Sequence, residues 1–121
     1  MSRAAPGLPG GGPRRIVSSM SNDLDLYVIR RRGAWDSPEE LQEAAALSAH
    51  VGDLEMPADI RWIRSYVVTD ENGQLGTVCI YQASSPEKIR EHAERAGLPV
   101  DEVVPVVDTV LVRADPQPAA A

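Results

Sequence analysis

The sequence has no long apolar run and only one cysteine, and both absences narrow the class of protein. Nowhere do about eighteen apolar residues follow one another, which is the length that a membrane-spanning helix needs. The opening segment contains arginines but no apolar core of the kind found in a cleaved export signal, and Cys79 has no second cysteine to pair with. We therefore expect a cytoplasmic protein without a membrane span, an export signal or a disulfide framework.

Recognised catalytic motifs are missing as well. The three glycines Gly10-Gly11-Gly12 lie in the opening segment and not between a strand and a helix, so they do not form a phosphate-binding loop. There is no pair of closely spaced cysteines typical of a zinc site and no HExxH motif. No residue is predicted to be catalytic.

Basic residues are scarce outside the opening segment. Residues 1–22 contain Arg3, Arg14 and Arg15 and no acidic residue. Since the chain has 12 basic and 18 acidic residues, the remainder carries 9 basic and 18 acidic residues, a net charge of −9. An acidic body of this kind repels nucleic-acid phosphates, which makes cations the expected charged partners.

The length of 121 residues suits one domain. Residues 1–22 are rich in Gly, Pro and Ser and are predicted to be a disordered leader, with Met20 as a plausible natural start. The folded domain is predicted over residues 23–113, and residues 114–121 are predicted to be a disordered tail.

Between these ends, the residue patterns predict four strands and two helices in the order βαββαβ. Alternating polarity, or enrichment in β-branched and aromatic residues, predicts strands over residues 24–29, 60–69, 75–82 and 103–112. Asp70-Glu71-Asn72-Gly73 predicts a hairpin turn between the second and third strands. Arg30-Arg31-Arg32 is interpreted as a solvated strand end. The last strand is expected to bend near Pro105, because proline cannot donate to a ladder.

The two helices are predicted from repeated start signals. Ser37-Pro38-Glu39-Glu40 combines an N-cap hydroxyl, a proline at the first position and a glutamate able to close a capping box, and Ser85-Pro86-Glu87-Lys88 is similar. The first helix should end at Gly52 and the second at Gly97. Residues with helical spacing are predicted to face the core, namely Leu41, Ala44, Ala45, Ser48, Ile89, Ala93 and Ala96.

This order predicts an α+β, ferredoxin-like fold with a four-stranded antiparallel sheet and both helices on one face. The second strand, read with strict alternation, places Trp62 and Tyr66 on one face and Ile63 and Val67 on the other. Both faces are then apolar, and two helices can cover only one. We expect a homodimer whose sheets pack face to face, as in dimeric α+β barrels.

The candidate metal ligands are His92, His50, Glu91 and Asp53. His92 is predicted at the border between core and solvent on the second helix, and His50 on the exposed side of the first. Imidazole together with carboxylate suits nickel or another divalent transition metal. The structural alternatives are a packed boundary histidine and solvated surface side chains.

A pocket for a small organic ligand at the dimer interface is the second candidate site. Strict alternation places Arg64 on the same face as Trp62 and Tyr66, where a cation among aromatic rings would hold an anion or pair with a carboxylate across the interface. The residues expected to line this pocket are Tyr27, Trp62, Arg64, Tyr66, Cys79 and Tyr81, with His92 as an acid or base. Cys79 can equally be a small buried hydrophobe.

Three stretches resemble a small bacterial family of ferredoxin-like proteins, formerly of unknown function, whose members are described as nickel-binding. They are Trp62-Ile63-Arg64-Ser65-Tyr66, Cys79-Ile80-Tyr81-Gln82-Ala83 and Arg90-Glu91-His92-Ala93-Glu94-Arg95-Ala96-Gly97-Leu98-Pro99. The resemblance implies a homodimer that holds divalent metal ions at its surface, for sequestration or response to excess metal, without an established enzymatic reaction. A pocket-based enzyme or binding protein and an interaction module remain alternatives.

Overall fold

The computed structural model describes residues 24–117. Its strands are β1 (Asp25–Trp35), β2 (Ile60–Thr69), β3 (Leu75–Ala83) and β4 (Glu102–Pro105), and its helices are α1 (Pro38–His50) and α2 (Pro86–Ala96). A π-helical turn, Val51–Glu55, follows α1, and a 3-10 turn, Glu71–Gly73, joins β2 to β3. The disorder predicted for residues 1–22, and for the end of the tail from 118 onward, falls outside the described residues.

The four strands form one antiparallel sheet in the order β2-β3-β1-β4, which is the ferredoxin-like arrangement predicted from the sequence. Both helices pack on one face, and no helix within residues 24–117 is long and apolar enough to cross a membrane. The core lies between the helices and the sheet and consists of Tyr27, Ile29, Val51, Met56, Ile60, Cys79, Tyr81, Ala83, Ile89 and Ala96.

Both helices begin at the predicted caps. The hydroxyl of Ser37 accepts a hydrogen bond from the Glu40 N–H at 3.2 Å, and the hydroxyl of Ser85 accepts one from the Lys88 N–H at 3.2 Å. Gly97 ends α2 in the left-handed conformation, with φ of 70°. These contacts satisfy backbone groups that a helix end leaves without partners.

The predicted glycine cap of α1 at Gly52 is wrong, although the α-helix ends within one residue of the predicted position. The α-helix ends at His50, and the chain continues directly into the π-helical turn, which the Met56 N–H closes by donating to the Val51 carbonyl at 2.9 Å. Gly52 is buried, and a Cβ placed there would lie 3.4 Å from the side chain of Ile60. This is an ordinary contact distance, and Gly52 has no left-handed φ, so the glycine is not a helix cap.

The last strand is shorter than the predicted range of 103–112. Pro105 lies opposite Tyr27, and the Val106 N–H donates to the Leu26 carbonyl at 2.9 Å. Since β1 begins at Asp25, the chain beyond Val106 has passed the end of its partner strand. A strand needs a neighbour for its backbone groups, so β4 ends here.

A β-bulge in β2 changes the predicted face assignment. Trp62 lies opposite Tyr81, but the next paired residue is Arg64, opposite Ile80, so Ile63 is the extra residue. Because one extra residue inverts the alternation, Trp62 is on the helix-covered face and Arg64 and Tyr66 are on the open face. The expectation that these three side chains share a face is therefore wrong.

Candidate functional site

A cleft of about 470 Å³ separates α1 from the sheet. The sheet contributes most of the residues around it, namely Arg31, Trp35, Trp62, Ile63, Arg64, Ser65, Val67, Thr77, Cys79 and Tyr81. The helix contributes Leu41, Gln42, Ala44, Ala45 and Ser48, and Leu98 follows α2. Gln42, Ile63 and Val67 are exposed, so the mouth of the cleft lies between α1 and the edge strand β2.

Small side chains on α1 leave this space open. Leu41, Ala44 and Ala45 were predicted to be in the core, but they are only half-buried, and Ser48 is the one buried residue of the helix. On α2, by contrast, Ile89 and three other residues are buried. The first helix is held against the sheet mainly near its C-terminal end.

Arg31 is the buried cation of the cleft. Its residue is 1% exposed, and its Nη1 donates to the Pro99 carbonyl at 2.7 Å, whereas its Nη2 has no hydrogen-bond partner. The guanidinium carbon lies 6.0 Å from the centre of the Tyr81 ring. The prediction of a solvated end for the three arginines is therefore wrong for Arg31, which points toward the helices like Tyr27 and Ile29.

The two neighbouring arginines have carboxylate partners. Arg30 pairs with Asp70 and Arg32 with Glu102, each at 2.6 Å. The hydrogen bonds from Arg30 and from the Gly33 N–H lower the pKa of Asp70 below its ordinary value. Among the ion pairs of residues 24–117, none involves Arg31.

Behind the cleft, a row of buried polar groups joins β3 to both helices. The Tyr81 hydroxyl lies 2.9 Å from the hydroxyl of Ser48, and the Tyr81 ring stacks on Trp62 at a centroid distance of 6.0 Å. Burial raises the pKa of Tyr81, against the opposing effect of the Ser48 hydrogen bond. The phenol is thus held neutral, as a hydrogen-bonding group.

His92 belongs to this row and not to the surface. It is 1% exposed, its Nε2–H donates to the Ser48 carbonyl at 3.0 Å, and its Nδ1 is buried without a partner. Burial lowers the pKa of His92, so the neutral ring is favoured. The predicted position at the border between core and solvent is wrong, since the residue is buried and its ring lies 5.4 Å from that of Tyr81.

His50 lies in a different place, at the exposed end of α1. Its Nε2 is 3.7 Å from Oε2 of Glu55, while Oε1 of the same glutamate accepts from Arg95 at 3.3 Å. Arg95 also binds Glu91 at 2.6 Å, and Lys88 binds Glu91 at 3.1 Å. The two cations lower the pKa of Glu91.

The four candidate metal ligands do not converge. Asp53 is exposed on the π-helical turn after His50, Glu91 is bound to two cations, and His92 is enclosed. Within residues 24–117, no three His, Cys, Asp or Glu side chains are grouped closely enough to hold a metal ion. What the described residues do bring together is the two-donor pair of His50 and Glu55.

The residues expected to line an organic pocket separate in the same way. Trp62, Cys79 and Tyr81 border the cleft under α1, and Tyr27 is packed in the core. Arg64 also borders the cleft, but its guanidinium lies with Tyr66 on the open side of the sheet. There Asp115 accepts hydrogen bonds from Arg64 and from the Tyr66 hydroxyl, each at 2.6 Å. The cavity that the structure contains is thus on the helix side of the sheet.

Reasoning from the sequence missed two residues that the geometry makes prominent. Arg31 is two residues beyond Ile29 and four beyond Tyr27, so the period of two along β1 already placed it on the core face. Glu55 gave no such signal, because its approach to His50 depends on the π-helical turn, and such turns have no reliable sequence pattern.

Comparison with known proteins agrees with this fold. The crystal structure of SCO4226 from Streptomyces coelicolor A3(2) matches with a TM-score of 0.57 and 19% identity, covering 70% of this chain and 99% of that one. A search of curated proteins finds no match. The model of the family described as nickel responsive protein SCO4226-like matches residues 27–106, which include the whole of the sheet except the first two residues of β1. The chain therefore belongs to the SCO4226-like family of nickel responsive proteins.

Proposed function

We propose that this protein binds a divalent transition metal, nickel before others, at the exposed end of α1, and that it serves sequestration of excess metal or a response to it. The family description supports the choice of metal. The proposed position of the metal site rests on one observation, which is that His50 Nε2 lies 3.7 Å from Glu55 Oε2. An imidazole beside a carboxylate is a donor set that suits a borderline cation.

His50 is the histidine with access to solvent. The chain has two histidines, and His92 is enclosed, with one ring nitrogen bound to the Ser48 carbonyl. A metal at His92 would require the helices to separate. A metal at His50 requires only local side-chain rotations.

The remaining coordination positions come from water and from nearby carboxylates. Glu55 presents Oε2 to His50 while Oε1 faces Arg95, so one carboxylate oxygen is free of the guanidinium. Asp53 lies on the same turn and adds negative charge to the site. With two protein donors and water, we expect micromolar binding and not the tighter binding of a closed structural site.

Calorimetric titration of the chelator-treated full chain with nickel, beside zinc and calcium, tests this proposal. We expect heat with nickel and weaker or no heat with calcium, which prefers sites composed of oxygen atoms. His50→Ala and Glu55→Gln should each weaken nickel binding at least tenfold.

The matched control is Glu43→Gln, since Glu43 is exposed on α1 two turns before His50. This variant should bind nickel like the parent. Loss of binding in His92→Ala with full binding in His50→Ala would contradict the assignment. Absence of heat with every ion would contradict metal binding by the isolated chain.

We also propose that two copies pair through the open face of the sheet. Val28, Val104, Ile80 and Val78 lie on that face by register, beside Tyr66. The segment after β4 adds apolar side chains that are 74–86% exposed, namely Val107, Val110, Leu111 and Val112. A second copy would bury both sets, and an unpaired chain would leave them in water.

Sedimentation equilibrium of the parent and of Val104→Glu tests this pairing. The parent should sediment as a dimer at micromolar concentration, and the variant as a monomer, because a buried, unpaired carboxylate is costly. Leu54→Glu is the control, since Leu54 is 70% exposed on the π-helical turn, away from the open face. A monomeric parent would overturn the proposal.

A further inference from the structure

The cleft under α1 has the size and construction of a small-molecule site, which is separate from the proposed metal site. Its volume of about 470 Å³ falls in the range of roughly 300–1,000 Å³ that ligand pockets occupy. Most of its wall is apolar, from Trp62, Leu41, Ala45 and their neighbours. A small number of polar groups, among them Arg31 and Thr77, lie on its floor.

Arg31 indicates the charge of the occupant. A guanidinium keeps its charge in proteins, and a buried charge is costly unless it is paired. Arg31 has one acceptor, the Pro99 carbonyl, and no carboxylate of residues 24–117 pairs with it. Arg30 and Arg32, on either side, both have carboxylate partners, so the most buried arginine has no counter-ion in the part of the chain that the structure describes.

The guanidinium also indicates the shape of the charged group. Its planar N–H donors match the two oxygens of a carboxylate, which accept parallel hydrogen bonds. Nη2 is closed to water as the structure stands, so the inner end of the cleft must open slightly for a carboxylate to reach it. The weak attachment of α1, with one buried residue, allows such an adjustment.

The apolar wall indicates the rest of the molecule. Trp62, which stacks on Tyr81, lines the cleft from the sheet, and Leu41 and Ala45 line it from the helix. A hydrocarbon chain or ring placed here would leave water and cover side chains that are now half-buried. Inorganic anions and sugars would leave this wall without contacts.

We propose that the cleft binds a small monocarboxylic acid with an apolar body, whose carboxylate pairs with Arg31 and whose body lies between Trp62 and the alanine-rich side of α1. This inference goes beyond the metal binding proposed above and does not depend on it.

Tryptophan fluorescence gives a direct test, because both tryptophans of the chain, Trp35 and Trp62, line the cleft. The full chain is titrated with hexanoate, with hexanol as the neutral analogue and with inorganic phosphate as an anion lacking an apolar body. Hexanoate should give a saturable change, while hexanol and phosphate should bind at least tenfold more weakly.

Two variants test the contribution of the Arg31 charge and that of the cleft volume separately. Arg31→Met should weaken hexanoate binding at least tenfold, with circular dichroism used to verify folding. Ala45→Leu places a larger side chain in the cleft and should also weaken binding at least tenfold without removing any charge. Ala46→Leu, an exposed neighbour on the same helix, should bind like the parent.

Three results would overturn the proposal. They are the absence of a saturable response to hexanoate, equal binding of hexanol and hexanoate, and unchanged hexanoate binding by Ala45→Leu. Strong binding of phosphate that survives in Ala45→Leu would show a surface anion site instead.

Discussion

The two helices begin alike and pack differently. Each has a serine N-cap followed by proline, and each serine hydroxyl accepts from the N–H three residues on at 3.2 Å. Yet α2 buries Ile89, His92, Ala93 and Ala96, whereas α1 buries only Ser48. Local chemistry therefore determines where a helix starts, and the side chains on its inner face determine how firmly it is held.

Because of this difference in packing, the two helices have different roles in the fold. The tightly packed α2 closes the core over β2 and β3, and α1 lies over a cleft that its alanines leave unfilled. The hydrogen bond from His92 to the Ser48 carbonyl joins the two helices near the C-terminal end of α1. Substitutions in each helix in turn should reveal this difference in packing.

The largest effect is expected from Ile89→Ala. Ile89 is fully buried in α2, so its truncation should lower the free energy of unfolding by about 2–5 kcal/mol. The equivalent change in α1, Leu41→Ala, should cost less than about 2 kcal/mol, because Leu41 borders a space that is already empty. Urea unfolding of the two variants measures both values, and equal losses would show that α1 is packed as firmly as α2.

His92→Leu breaks the link between the helices and should cost about 1–2 kcal/mol, since the Ser48 carbonyl loses its imidazole donor and keeps only backbone donors such as the Val51 N–H. Burial lowers the pKa of His92 from its usual 6.5, so the unfolded chain takes up the proton more readily than the folded chain. The stability that the neutral ring contributes is present above about pH 6.5 and is lost as the pH falls toward the lowered value.

Urea unfolding midpoints measured at several pH values between 7.5 and 5 test whether stability falls with pH in this direction. The parent should lose stability more steeply than His92→Leu over this interval. The carboxylates titrate in both proteins and cancel in the comparison. Parallel curves for the two proteins would show that His92 does not titrate differently on folding.

The smallest effects are expected at the caps. Ser37→Ala and Ser85→Ala each remove one side-chain acceptor and should each cost about 1 kcal/mol. Hydrogen exchange should still distinguish them, because fraying at Ser37 should spread along the loosely held α1, and fraying at Ser85 should stop at the buried Ile89. Equal protection along both helices would contradict this view.

Local rules account for much of the fold. The order of elements, the two serine caps, the turn with Asn72 and Gly73 at φ of 63° and 77°, and the left-handed Gly97 all follow from residue types at defined spacings. The homodimer and the metal ligands stay predictions, because they depend on contacts beyond a single described chain.

Three features of the structure could not be predicted from local sequence patterns. The end of β4 depends on where β1 begins, which is a property of the sheet and not of residues 103–112. The burial of Arg31 was indicated by alternation along β1, but the charge of three consecutive arginines favoured the surface. The empty cleft depends on the height of α1 above the sheet, which no local pattern encodes.

The bulge at Ile63 carries an evolutionary consequence. Because it inverts the alternation of β2, every side chain from Arg64 to Thr69 owes its face to one extra residue. Deleting that residue would transfer Arg64 and Tyr66 toward the cleft and Ser65 and Val67 toward the open face in a single step. Related chains could thus exchange the chemistry of the two faces by length variation at this position, where point substitutions would need to change the whole strand.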